Sequence, residues 1–139
     1  MKEFKITSDL ISLQIIEPQL ESKEIGARSV FEGIVRNIND GNQVRKLEYE
    51  CYESLAIKEG KRILDEATDK YDLIDAFCIH RVGVLEIGET AVAIVVTSRH
   101  RDSSFMGCRY IIDEVKARVP IWKKEYYKDS ESEWLKGAG

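Results

Sequence analysis

Residues 91–125, AVAIVVTSRHRDSSFMGCRYIIDEVKARVPIWKKE, carry the pattern that decides the fold. The first seven residues are continuously apolar, which is typical of a central β-strand covered on both faces. A stripe of apolar side chains at helical spacing follows, formed by Phe105, Cys108, Ile112, Val115 and Val119. This stripe predicts an amphipathic helix with Asp102, Ser103 or Ser104 as its N-cap. Pro120 is expected to end the helix.

The first half of the chain favours β-structure. Short strands are expected at residues 4–6 and 13–16, with a short helix over residues 18–24. Residues 27–37 and 44–52 favour two longer strands, and Asn39-Asp40-Gly41-Asn42 between them is a strong turn signal. We therefore predict a hairpin of these two strands. Gly33 within the first strand indicates a bulge or a close backbone approach.

Between these two regions, residues 53–71 have the periodicity of an amphipathic helix. Its apolar stripe consists of Ala56, Gly60, Ile63, Leu64, Ala67 and Tyr71. Residues 73–82 favour another strand, and residues 83–88 favour a loop that contains a short strand. The mixture of hairpin signals with only one or two crossovers predicts an α+β fold.

Length and composition indicate one globular domain over residues 1–139. The chain is 43% hydrophobic and 33% charged, and no apolar run approaches the ~20 residues of a membrane span. The N-terminus lacks the apolar core and cleavage site of a signal peptide, so a cytoplasmic protein with no membrane partner is expected.

The cysteines and histidines do not suggest a metal or another cofactor. Cys51, Cys78 and Cys108 are widely spaced without a CxxC pair, and only His80 and His100 are present. Each cysteine lies in an apolar segment, which favours a structural role over a catalytic thiol. His80 has apolar neighbours on its strand, which favours a core or interface histidine over a ligand.

Cations are concentrated near the C-terminal end. Residues 99–128 contain eight Lys or Arg against four acidic residues, whereas the whole chain has a net charge of −4. A basic cluster on an acidic protein indicates a local anion site rather than a nucleic-acid surface. His100 and Arg101 follow the central strand at the start of the helix, where free backbone N–H groups also favour anions.

Lys116 lies near the other end of the same helix, about 20 Å from Arg101 at 1.5 Å per residue. Either the ligand is elongated or two chains contribute to one site, as in a symmetric dimer. Lys123 and Lys124 could fold back towards Lys116. Like-charge repulsion would favour the neutral form of a lysine there, which makes it a candidate base or nucleophile.

Each of these cations also has an ordinary structural interpretation. Lys116 could complement the helix dipole, and Arg109 could pair with Asp113 on the helix surface. Arg36 could be a strand-end charge, and Lys124 and Lys128 could simply be solvated. Spacing alone therefore reaches only an anion-binding α+β domain.

Five segments in order along the chain are more specific. They are Gly26-Ala27 with FEGIVRN at residues 31–37, LEYE with Tyr52 at residues 47–52, IHRVG at residues 79–83, Ser98 with His100-Arg101, and VKARVPIWKKE at residues 115–125. Together they resemble the large, catalytic subunits of molybdopterin synthase. Arg99 and Asp102 depart from the pattern of that family beside the basic pair.

The resemblance implies an α/β hammerhead with an additional antiparallel β subdomain. It implies a sulfurtransferase that adds two sulfurs to cyclic pyranopterin monophosphate and so forms the dithiolene of molybdopterin. The sulfur donor would be a small ubiquitin-like carrier subunit with a C-terminal Gly-Gly thiocarboxylate. A heterotetramer is implied, with a central homodimer of large subunits and a small subunit at each end.

The resemblance also assigns roles to residues. Lys116 and Lys123 match the essential, catalytic lysines. The substrate-contacting positions are matched by Ile34, Val35, Arg36, His100, Arg101, Lys116, Lys123, Lys124 and Glu125. No cofactor is implied for the reaction.

Two other classes of function stay open on the sequence. A non-catalytic module for a carrier tail would bind the partner without transferring sulfur. A phosphate- or RNA-binding domain would use the basic cluster and bind RNA with a steep salt dependence, although the pI of about 5.3 argues against it.

Overall fold

The central strand expected at residues 91–97 lies inside a four-stranded sheet. The computed structural model describes residues 1–16, 20–128, 130–132 and 134–137. In the first sheet the strand order is β1 (Lys2–Thr7), β5 (Asp75–Arg81), β7 (Thr90–Ser98) and β2 (Ala27–Ile34). Strands β1 and β5 are parallel, and the other two pairs are antiparallel. Residues 91–98 are all buried, which confirms the prediction from the apolar run.

Two long helices pack on this sheet. Helix α2 (Glu53–Tyr71) has the predicted bounds and buries Ala56, Gly60, Ile63, Leu64 and Ala67. Helix α3 (Arg101–Arg118) follows β7 directly. Arg118 at its end makes hydrogen bonds of 2.6–2.9 Å to Glu59 and Glu66 of α2, which joins the two helices.

The second sheet is antiparallel and consists of β3 (Ile38–Asn39), β4 (Asn42–Cys51), β8 (Ile121–Tyr127) and β9 (Leu135–Lys136), in that order. Strand β6 (Gly83–Glu86) pairs with β4. Two long helices, one mixed sheet and one antiparallel sheet in the described part of the chain make an α+β fold, which confirms the predicted class. No helix among the described residues is long and apolar enough to cross a membrane.

The predicted hairpin between the strands at residues 27–37 and 44–52 is wrong, because these two strands do not pair with each other. Strand β2 pairs with β7, whereas β4 pairs with β8 and β6. The turn at residues 39–42 joins only the two-residue strand β3 to β4, with Asp40 and Gly41 at positive φ. The register of β2 shifts after Gly33, which confirms the bulge among the two predicted alternatives. A Cβ at this position would stand 2.8 Å from a Val92 methyl.

Three local predictions are also corrected. Residues 13–16 form a short helix, α1 (Leu13–Ile16), instead of a strand. Of the helix expected over residues 18–24, positions 18 and 19 lie outside the described residues, and residues 20–24 are not helical. His100 is the N-cap of α3, because the helix begins before Asp102 and includes it in the first turn.

The buried stripe of α3 is shifted by one position at its start. Phe105 is 63% exposed, whereas Ser104, Gly107 and Ile111 are buried. The helix lies close to its neighbours there, since a Cβ on Gly107 would stand 2.8 Å from a Leu73 methyl. Small residues therefore face the interior at this end, and the Phe105 ring is left outside.

Candidate active site

A cavity of about 320 Å³ lies between the two sheets, near the C-terminal end of α3. Its lining comes from both sheets and from the helix. The lining residues are Gly33, Ile34, Val35, Arg36, Ile38, Asn39, Val44, Leu47, Tyr49, Ala91, Lys116, Lys123 and Glu125. The cavity therefore brings together six of the nine residues that the resemblance assigned to substrate.

Backbone geometry places the two lysines of this set on the same cavity. Helix α3 ends at Arg118, and Val119 has an extended conformation, as expected before Pro120. The chain then turns back as β8, which pairs with β4 and carries Lys123. Lys116 from the last helical turn and Lys123 from the returning strand can therefore reach one ligand.

Lys116 and Arg36 are exposed at this cavity, and no carboxylate of the described residues forms an ion pair with either. Because their charges are not neutralised within this part of the chain, both are available to an anion. Ile34 is 56% exposed and Val35 is buried, so this segment adds an apolar wall beside the cations.

Lys123 is half-buried and lies 3.5 Å from the Glu125 carboxylate on the same face of β8. Glu125 is 1% exposed. Its carboxylate accepts hydrogen bonds from Asn39 Nδ2 (2.9 Å) and from the Tyr127 hydroxyl. Burial by itself raises the pKa of Glu125, but these hydrogen bonds and the charge of Lys123 outweigh burial and lower it. An ionised Glu125 therefore orients the Lys123 ammonium group.

Two predicted residues lie at the far end of α3. His100 and Arg101 are exposed at its N-terminus, about 20 Å from Lys116 at 1.5 Å per residue, and do not line the cavity. Neighbouring Arg99 forms ion pairs with Glu24 and Asp72, both at 3.3 Å. A single chain therefore does not bring His100 and Arg101 to the two lysines.

Lys124 points away from the cavity because successive side chains of a strand alternate between faces. Its ammonium group lies 3.1 Å from Glu131 and stacks over the rings of Tyr126 and Trp134. On the surface of α3, Arg109 pairs with Asp113 at 2.9 Å, so the structural interpretation of Arg109 is confirmed.

Tyr49 and Asn39 line the cavity and were missed by sequence reasoning. The alternation of side chains along β4 puts Leu47 and Tyr49 on one face, but that face looks like ordinary core. The β4–β8 register sets Tyr49 opposite Lys123, and only this pairing reveals its place.

Other buried polar groups lie away from the lysines. His80 is fully buried and donates from Nδ1 to the Arg81 carbonyl oxygen (2.6 Å), but its Nε2 has no partner among the described residues. Burial lowers the pKa of His80 to about 4, against the smaller opposite effect of that hydrogen bond. The imidazole is thus neutral at pH 7, as expected for a core histidine.

The three cysteines are free thiols. Burial raises the pKa of Cys108 to about 11 and raises that of Cys78 further. A reactive thiol needs a lowered pKa, so these environments favour a structural role.

Comparison with known proteins identifies relatives along nearly the whole chain. A family model described as "MoaE protein" matches residues 6–118. A molybdopterin synthase catalytic subunit of Pyrococcus abyssi is 44% identical over 118 residues, which span 85% of this chain and 79% of that protein.

Solved structures give the same result. The crystal structure of molybdopterin synthase from Staphylococcus aureus matches with a TM-score of 0.89 and 36% identity, covering 97% of this chain and 98% of that one. A chain in a complex of subunits 1 and 2 of molybdopterin-converting factor from Helicobacter pylori has a TM-score of 0.76 at 22% identity and covers 96% and 88%. This second likeness is one of fold.

Proposed function

This chain belongs to the MoaE protein family, and we propose that it is the catalytic subunit of a molybdopterin synthase in molybdenum cofactor biosynthesis. The reaction is the transfer of two sulfurs to cyclic pyranopterin monophosphate, one from each of two thiocarboxylated ubiquitin-like carriers, and each carrier is left with a C-terminal carboxylate after hydrolysis. The observation that carries this proposal is the cavity between the sheets, where Arg36, Lys116 and Lys123 converge. A phosphorylated pterin and a terminal thiocarboxylate are both anions, and each needs cations in a pocket.

Lys116 has the central role in the proposed reaction. Its ammonium group is exposed on the cavity without an acidic partner in the described chain, so it can approach the thiocarboxylate carbon. There it acts as acid or base while the thiocarboxylate sulfur bonds to the pterin side chain and water cleaves the acyl–sulfur bond, which releases the carrier carboxylate. Alternatively it acts briefly as nucleophile, taking the acyl group from sulfur before water releases that group as the carboxylate.

Lys123 stabilises developing negative charge or protonates the leaving oxygen when the cyclic phosphate opens. Its contact with the buried carboxylate of Glu125 fixes the ammonium position before substrate arrives, and such preorganisation favours charge stabilisation. Arg36 holds the phosphate through both transfers.

Two kinds of partner complete the proposed assembly. The small carrier subunit inserts its C-terminal tail into the cavity, and the complex of two subunits from Helicobacter pylori, which has this fold, supports such a partner. A second copy of this chain forms a central homodimer. The distance between the ends of α3 supports this dimer, since His100 and Arg101 can join the lysines only from another chain.

A single-turnover assay tests the function. The protein is mixed with a thiocarboxylated carrier and cyclic pyranopterin monophosphate, and the dithiolene product is measured after oxidation. We expect product from the wild type and at least a ~100-fold lower rate from Lys116→Ala, because general acid–base catalysis contributes about that much. Lys58→Ala, at an exposed position of α2, is the matched control and should react normally.

Two results would contradict the proposal. Normal turnover by folded, carrier-bound Lys116→Ala would remove the central lysine from the mechanism. Absence of product from a folded, carrier-bound wild type would instead favour a non-catalytic module that binds the carrier tail.

A further inference from the structure

The hydroxyl of Tyr49 differs from the other buried or half-buried phenols near the second sheet. Tyr126 donates to Glu48 (2.8 Å), and Tyr127 donates to Glu125. Tyr49 is 1% exposed, yet its hydroxyl has no hydrogen-bond partner among the described residues. A buried donor is normally paired, so an unpaired one in a cavity indicates a partner that arrives with the ligand.

The position of this hydroxyl is defined by its neighbours. Tyr49 lies directly opposite Lys123 in the β4–β8 register and lines the same cavity as Lys116. The ring is held edge-on by the buried His80 imidazole, with centroids 4.9 Å apart and planes at 73°. The fully enclosed side-chain nitrogen and oxygen atoms without a hydrogen-bond partner in the described chain belong to His80 and Arg81. The Tyr49 oxygen is not among them and so keeps some accessible surface, and Tyr49 lines the cavity.

The hydroxyl keeps its proton at every pH at which the protein would work. Burial, with a smaller contribution from the negative charge of Glu125, raises the pKa of Tyr49 to about 12. Tyr49 therefore cannot serve as a base near neutral pH. It is a neutral hydrogen-bond donor in the cavity that Lys116 and Lys123 also line.

We propose that Tyr49 is a further ligand-binding residue of this cavity, whose hydroxyl donates a hydrogen bond to an anionic oxygen held between Lys116 and Lys123. This inference rests on the proposed function. The oxygen belongs either to the carboxyl terminus of the carrier or to the phosphate of the pterin. Both present the same chemistry, an oxygen that gains negative charge and accepts a neutral donor.

Tyr49→Phe tests the inference because it removes only the oxygen and keeps the ring against His80. Tyr52→Phe is the matched control, since Tyr52 lies on the same segment but is 64% exposed and outside the cavity. We expect Tyr49→Phe to melt at the wild-type temperature or above, because the hydroxyl has no partner to lose. We expect its single-turnover rate to fall about tenfold, the effect of one hydrogen bond to a charged group, while Tyr52→Phe stays within about twofold.

Binding measurements identify the acceptor and separate this inference from the proposed function. The probes are the carrier with an ordinary C-terminal carboxylate and inorganic phosphate, each titrated into wild type and Tyr49→Phe. Weaker binding of the carrier alone assigns the oxygen to the tail, and weaker binding of phosphate alone assigns it to the pterin. The ratio of wild-type to variant rates should be constant between pH 6 and 10, as a donor with a pKa of about 12 requires.

The remaining outcomes would overturn the inference. If the wild type turns over and Tyr49→Phe matches it in rate and in both affinities, Tyr49 is only a core residue and the function stands. A lower melting temperature for Tyr49→Phe would mean that the hydroxyl is bonded within the protein. If the wild type makes no product, the proposed function is wrong. In that case, equal affinities of wild type and Tyr49→Phe for both probes, or no binding of either probe, would also reject the ligand-binding role of Tyr49.

Discussion

Glu125 is the residue on which the charge balance of the cavity depends. Its carboxylate already has three protein partners, in Asn39, Tyr127 and Lys123, so it acts on the ligand through Lys123. The resemblance assigned it to substrate contact. The geometry instead supports a positioning role, in which a buried negative charge holds an ammonium group in place.

Glu125→Gln should lower both stability and activity. At pH 7 we expect a loss of about 1–2 kcal/mol in the free energy of unfolding, because hydrogen bonds to a charged group become neutral ones. Chemical denaturation measures this loss of stability. The single-turnover rate should also fall, because the Lys123 ammonium group is held less firmly without the charge of Glu125. Glu50→Gln, the same substitution at an exposed position of β4 outside this cavity, is a control for the loss of one negative charge.

The difference in stability between the wild type and Glu125→Gln should depend on pH. The pKa of Glu125 is lower in the folded protein than in the unfolded chain. Its contribution to stability is therefore complete above the unfolded pKa of about 4.3 and is lost as the pH falls through the folded pKa. The stability difference between wild type and Glu125→Gln should narrow below about pH 4.3, and a difference that grows on acidification would contradict an ionised Glu125.

At the scale of elements, the close contact between α2 and β1 depends on a glycine, Gly60, at the point where the Phe4 ring packs on the helix. A Cβ on Gly60 would overlap the Phe4 ring. Gly60→Ala should gain about 1 kcal/mol in helix propensity but lose about 1–3 kcal/mol through overpacking, for a net loss of up to roughly 2 kcal/mol. Thermal unfolding checks this against Lys58→Ala on the exposed face, and a more stable Gly60→Ala protein would show that Phe4 moves aside freely.

Elements with a clear period could be predicted from sequence, but their partners could not. Helix α2 and strand β7 follow from spacings of 3.6 residues and from a continuous apolar run. The pairing of β2 with β7 is a contact between distant segments, and alternation within β2 fits either partner equally well. A local turn signal therefore suggested that β2 pairs with β4, whereas the turn joins only the short strand β3 to β4.

The residues of the candidate site likewise fall into those that a local motif predicts and those that only the pairing of distant strands reveals. Lys116 and Lys123 belong to one recognisable segment, so the resemblance found them. Tyr49 and Asn39 are contributed by a strand and a turn more than 60 positions away from them, and each looks structural in its own segment. Their role depends on the β4–β8 register, which no short motif encodes.

At the scale of the whole molecule, the two cationic regions at opposite ends of α3 require an assembly if they serve one ligand. Mixing subunits tests this directly. Lys116→Ala and Arg101→Ala proteins should each be nearly inactive alone, since each lacks one part of every site. After random reassembly at equal amounts, half of the dimers are mixed, and one of the two sites in each has both residues, so about a quarter of wild-type activity should return.

The test depends on which chain supplies each cation. Recovery requires that Lys116 of one subunit and Arg101 of another act on the same ligand, and size-exclusion chromatography of the mixture must show that the assembly has re-formed. If re-formed mixtures stay inactive, the proposed sharing of sites between subunits is wrong. An Arg101→Ala protein with normal activity alone would instead show that the N-terminal end of α3 is not part of the site, leaving the three cations of the cavity to bind the substrate.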